Sequence, residues 1–110
     1  MNIRICGTGS ALPERKITND DLSQIMDTSD EWISSRTGIK TRHLATEETT
    51  TSLATEAAKK ALADADMKPE EVELIIAATV TPDHLVPTLS CEVQREIGAV
   101  NAVAFDLRAA

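Results

Sequence analysis

Leu53, Ala54, Ala57, Ala58, Ala61, Leu62 and Ala65 recur at helical spacing, with polar residues between them. That stripe predicts an amphipathic helix, and residues 49–52 supply its N-cap candidates. A second stripe, Leu89, Val93 and Ile97, predicts a helix from Thr88 to Gly98. Between the two lies LIIAATV, residues 74–80, a continuous apolar run rich in β-branched residues. It predicts a strand covered on both faces, as in a parallel sheet. Residues 101–107, NAVAFDL, read as another buried strand, and residues 3–10, IRICGTGS, as a first one that Gly7, Gly9 and Pro13 loosen and turn. Asn19 is placed to cap a short helix, with Asp20 and Asp21 in its first turn. TSDE, residues 28–31, reads as a capping box that starts a second helix at Ser29, and Gly38 ends that helix. IKTRHLA then looks extended, Pro69 opens a short turn, and Pro82 and Pro87 bracket a loop.

The predicted order is strand, helices, strand, helix, strand. Right-handed crossovers make that an α/β arrangement, a parallel three-stranded layer with helices on its faces. Ligands in such sheets sit beyond the carboxyl ends of the strands. TPDHLVPT, residues 81–88, and RAA, residues 108–110, lie there. The sheet is small and nothing follows the last strand to cover it, so residues 1–110 read as one partial domain. Residues 102–107 read as an edge strand too apolar for solvent, suited to pairing with a two-fold mate.

Composition narrows the class. In 110 residues there are one Trp, one Phe and no Tyr, so the core is to be built of Ala, Leu, Ile and Val. A net charge of −7 makes a poor general binder of nucleic acid. No apolar run approaches the roughly 20 residues of a membrane span, and MNIRICGTG lacks a signal-peptide core, so a cytoplasmic location is expected. Cys6 and Cys91 lack metal-type spacing and are expected to be buried thiols in a reducing compartment.

Few residues could carry chemistry. Trp32 and Arg36 lie one turn apart on the helix of SDEWISSRTG, and Arg36, Lys40 and Arg42 concentrate positive charge in an acidic chain. An indole beside a guanidinium makes a flat cationic platform suited to a purine and its phosphates. The competing reading has Trp32 packed on the core and Arg36 paired with Glu31 or Asp30. Cys91, read as mid-helix and next to Glu92, lacks the helix-end or cationic setting that activates a thiol. Cys6 has less to recommend it. His43 and His84 lack a nucleophile partner and read as structural or surface residues. Gly7 and Gly9 form a GxG without the third glycine of a dinucleotide loop.

DTSDEWISSRTGIKTRH closely resembles the signature of β-ketoacyl-acyl-carrier-protein synthase III, a condensing enzyme of the thiolase fold. GTGSALPE, LIIAATVTPD and AFDLRAA match in the same order. The resemblance implies acyl transfer from acyl-CoA to a cysteine, then condensation with malonyl-acyl-carrier protein to initiate fatty acid synthesis. It implies a homodimer, with no cofactor beyond the acyl-CoA substrate and no metal. It places the nucleophilic cysteine immediately after Ala110, so no catalytic residue is expected within the chain, which resembles the first third of such an enzyme. By position, Trp32 resembles the residue that stacks on the adenine of coenzyme A, and Thr28 and Arg36 its nucleotide-contacting neighbours. Val86 stands where some members have a Phe that reaches into the partner subunit's acyl pocket, so the smaller side chain implies more room there. A secondary-metabolite ketosynthase of the same fold, and a non-catalytic dimerisation or scaffolding piece, are the alternatives.

Overall fold

The computed structural model describes residues 2–108. Ala109, Ala110 and the cysteine expected after them lie outside the described residues. The stretch expected to form one partial domain divides by its contacts into two compact units, residues 1–11 with 49–110, and residues 12–48.

In the first unit, α3 (Thr50–Asp64), β3 (Leu74–Ala78), α4 (Leu89–Ile97) and β4 (Val103–Leu107) carry the core. The second unit holds β1 (Lys16–Thr18), α1 (Asn19–Ser23), α2 (Asp30–Thr37) and β2 (Thr41–His43). β3 and β4 pair in parallel, Ile76 opposite Phe105, with α4 as the crossover between them. Thr49 caps α3 in a reciprocal box with Ser52, and Pro69–Glu71 forms a 3-10 turn before β3. On α4, Leu89 and Val93 turn inward and are buried, as is Ala99 just past the helix end. α4 packs on both α3 and β4, so the apolar stripes meet as their spacing requires.

Among the described residues the parallel sheet is two-stranded, not three. Residues 3–10 form no strand, and among the described residues no backbone–backbone hydrogen bond reaches residues 2–11. Their apolar alternation has a different use. A Cβ on Gly7 would come within 2.6 Å of the Ala61 carbonyl oxygen, and one on Gly9 would collide with the Ala57 carbonyl. The GxG thus lets this segment lie directly on the α3 backbone, a contact glycine alone permits.

A second correction concerns burial. Residues 74–80 read as covered on both faces, but only Ile75, Ala77, Ala104 and Asp106 turn to the covered side. Leu74, Ile76, Val103, Phe105 and Leu107 form a bare apolar face, each 45–65% exposed. A continuous apolar run cannot tell a strand covered twice from one whose second face meets nothing in the described chain. The thiols differ as well, since Cys6 and Cys91 are both exposed.

The second unit has less apolar content. β1 and β2 pair antiparallel, Ile17 opposite Arg42. Thr18, not Asn19, caps α1: its hydroxyl accepts from the Asp21 amide at 3.1 Å, while the Asp21 carboxylate accepts the Thr18 amide at 2.7 Å. α2 is capped by Ser29, one residue later than the box reading, and Ser29 Oγ accepts the Trp32 amide at 3.1 Å. Gly38 ends α2 at φ 72°, in the left-handed region the sequence assigned to it.

Candidate functional site

The two side chains singled out on α2 meet. Arg36 Cζ lies 4.5 Å from the Trp32 ring centroid, within cation–π range. The indole is 54% exposed among the described residues. Arg36 pairs with neither Glu31 nor Asp30, and among the described residues it forms no ion pair. Its remaining hydrogen bond is a long one, Nη1 donating to the Trp32 carbonyl at 3.4 Å. Asp30 and Glu31 in the first turn and Arg36 in the last suit the helix dipole. An open cleft of about 330 Å³ is lined by Asp27, Thr28, Ser29 and Trp32. A second, of about 260 Å³, is lined by Ser29, Glu31, Trp32, Ser35 and Arg36. Ser29 and Trp32 line both clefts, Thr28 the first and Arg36 the second.

The other two cations of the basic cluster are engaged. Lys40 lies 3.6 Å from the Asp30 carboxylate and donates to Ser34 Oγ at 2.9 Å. Arg42 donates to Asn19 Oδ1 at 2.5 Å. Hydrogen bonds from Asn19 and then Ser34 hold the Asp30 carboxyl below its ordinary range. Of the three cations, Arg36 alone turns its charge to the clefts.

In the first unit the loop after β3 is pinned by a carboxylate. Asp83 accepts the Thr50 and Thr51 amides at 3.0 and 2.7 Å, occupying the free N–H groups at the start of α3. The Thr51 amide, with help from Thr50, outweighs burial and brings the Asp83 carboxyl down to about 2. His84 Nδ1 sits 3.3 Å from Glu92 Oε1, and the other Glu92 oxygen accepts from Thr51 Oγ1 at 3.0 Å. Val86, on the same loop, is 86% exposed and points at nothing in the described chain.

Cys91 is not mid-helix as its sequence context implied. It is the third residue of α4, in the first turn. That position would favour a thiolate, but the N-terminal amides are already taken. Leu89 and Ser90 donate theirs to the Asp106 carboxylate at 3.1 and 2.9 Å. Burial pushes Asp106 up, and the hydrogen bonds from Ser90 and Leu89, with Arg108 nearby, outweigh it and hold the carboxyl below its ordinary value. A negative charge thus stands at the helix end where an activated Cys91 would need a positive one. His43 also has a structural post, with Nδ1 2.6 Å from the Pro13 carbonyl oxygen.

Sequence reasoning missed three polar residues: Asn19, Asp83 and Asp106. Asp106 left a trace, an acid at an inward position of an apolar strand. Asn19 and Asp83 left none, because a turn-former or helix-cap residue reads the same whether it bonds locally or across the fold.

No protein-family model matches the chain. It is 54% identical, over 99% of its length, to the β-ketoacyl-[acyl-carrier-protein] synthase III of Clostridium acetobutylicum, of which it covers 34%. Its fold superposes on crystalline 3-oxoacyl-[acyl-carrier-protein] synthase III from Aquifex aeolicus with a TM-score of 0.95, at 52% identity over 98% of this chain and 35% of that one. It also superposes on the priming β-ketosynthase of the R1128 polyketide pathway with a TM-score of 0.93, at 37% identity over 96% of this chain and 32% of that one. The chain spans about a third of the length of the curated relatives it matches.

Proposed function

We propose, from the premise that this chain belongs with the β-ketoacyl-[acyl-carrier-protein] synthase III sequences of the thiolase fold, that the enzyme carrying it starts fatty acid synthesis. A cysteine thiolate attacks the acyl-CoA thioester carbonyl, and the CoA thiol leaves. The acyl-enzyme then acylates the carbanion formed when malonyl-acyl-carrier protein loses CO2, and the cysteine is released.

The role of this segment is to hold the nucleotide end of the substrate. The observation that supports it is the exposed Trp32 indole with Arg36 stacked on it. An adenine has a π-face for the indole, and its phosphates have negative charge for the guanidinium. Thr28 lines the cleft on the other side of Trp32 and offers a hydroxyl. Neither Cys6 nor Cys91 is the nucleophile. We place Val86 at the acyl pocket of a two-fold partner, with the free edge of β4 as the dimer seam. The reaction needs no metal or redox cofactor, and we place the enzyme in the cytoplasm. Among the described residues no helix is long and apolar enough to cross a membrane.

The test is acylation of the complete enzyme by labelled acyl-CoA. Label is expected on a cysteine other than Cys6 and Cys91, and it should move to malonyl-acyl-carrier protein with loss of CO2. No label, or label on Cys91, overturns the reading. The likeness to the R1128 priming ketosynthase favours one second reading, a polyketide-priming enzyme. Preference for a polyketide carrier over the fatty acid carrier would select it.

A further inference from the structure

The helix that carries the platform has little apolar packing, with Ile33 its one half-buried apolar residue. α2 has no buried residue. Its inward positions Asp30 and Ser34, one turn apart, are polar and are joined by a 2.8 Å hydrogen bond from Ser34 Oγ. Both are gripped by Asn19, which is 1% exposed. Asn19 Nδ2 donates to Asp30 Oδ1 at 2.7 Å and to the Ile39 carbonyl at 2.8 Å, with Ser34 Oγ at 3.4 Å. Its Oδ1 accepts from Arg42 of β2. One amide thus ties α2, the residue just past its Gly38 end, and the neighbouring strand.

We propose that Asn19 is a positioning residue for the nucleotide end of acyl-CoA, acting through α2 on Trp32 and Arg36. The inference rests on the platform reading above. Both amide hydrogens and the carbonyl oxygen are used, and Asn19 itself is sealed from water, whereas the Asp30 carboxylate is half exposed. Asp, of the same size, has no N–H to give Asp30 or Ile39 and brings a second negative charge against Asp30. Leu, also of similar size, leaves Asp30, Ile39 and Arg42 without their partner. Only an amide serves all three. With the clamp gone, α2 keeps its caps but loses its fixed bearing. A stacking surface is sensitive to bearing, because its energy depends on ring overlap.

A loss of global stability lowers the rate on every substrate alike. A misplaced platform penalises only substrates that have a nucleotide. In the complete enzyme, kcat/KM is therefore compared for one acyl group carried on CoA and on pantetheine. Trp32→Ala serves as the reference. Asn19→Leu is expected to lower the CoA-to-pantetheine ratio about tenfold, within the range a lost base stack allows, whatever common loss its lower stability imposes on both substrates. Asp30→Asn, which keeps the shape and removes the charge, should move the ratio the same way by less, and it decides the matter if Asn19→Leu does not fold. An equal loss on both substrates makes Asn19 merely structural and overturns the proposal. A ratio that falls in Trp32→Ala but not in the clamp variants overturns it while leaving the platform intact. A ratio unmoved by Trp32→Ala removes the platform, and the proposal with it.

Discussion

The two units of this chain are held together by different forces. Around α4, buried Leu89, Val93 and Ala99 do the work, and the polar groups are at the helix ends. Around α2, the most buried side chain is the amide of Asn19, surrounded by Asp30, Ser34 and Arg42. Apolar packing is non-directional and tolerates small rearrangements. A hydrogen-bonded cluster fixes angles as well as distances. The region proposed to hold a flat, orientation-sensitive ligand is the one built from directional bonds.

The contrast can be broken most easily in the apolar region. Leu89→Ala should cost about 2–5 kcal/mol through lost transfer energy and the cavity left behind. Denaturant or thermal unfolding measures it. A cost below about 1 kcal/mol would mean that α4 is not a core helix. In the polar region the matching change is Asn19→Leu, which keeps the branched four-heavy-atom skeleton and makes it apolar and somewhat bulkier. If apolar burial governed there, it would stabilise. We expect a loss of about 1–3 kcal/mol for a buried group left without its partner, and a stabilised variant would end the comparison. Gly38→Ala probes neither packing mode. Nothing lies within 4 Å of an added Cβ, so its cost is backbone alone, about 1–2 kcal/mol at φ 72°.

The same difference explains what the sequence could tell. The stripes on α3 and α4 are legible because burial there is periodic, and Gly38 and Gly98 are legible because positive φ selects glycine. One-turn spacing put Trp32 and Arg36 on one face but left a core Trp as the competing reading, and it was the resemblance that favoured the platform. Residues 3–10 were misread because an apolar run with glycines looks the same in a strand as in a segment laid on a helix. The apolar run of β3 and β4 states what should be covered, and one of its faces has no cover within the described residues. The Asn19 clamp was illegible because its partners are distant in sequence and its pattern is that of an ordinary helix start.

One feature is shared by the two units and gives the smallest effect. Each has a carboxylate clamped on backbone amides: Glu48 accepts the Thr46 and Glu14 amides at 3.0 and 2.9 Å, and Asp83 those of Thr50 and Thr51. The Thr46 amide, then Glu14, brings Glu48 down to about 2, and the Thr51 amide brings Asp83 down to the same region. A carboxyl whose folded pKa is depressed contributes stability above its unfolded pKa, near 4, and loses it as pH falls through the folded value. Both contributions should therefore be complete at neutral pH, decline below about pH 4, and be gone below about pH 2. Asp83→Asn and Glu48→Gln keep the shape and remove the titration. Each variant should melt lower than the parent at pH 7, by an amount that salt reduces because neither carboxylate is buried. The gap should close as the pH is taken down toward 2, and by the same course in the two variants. A gap that stays constant with pH would mean the substitution acts through packing. A gap that closes for one variant only would show that the amide clamp governs acid stability in one unit alone.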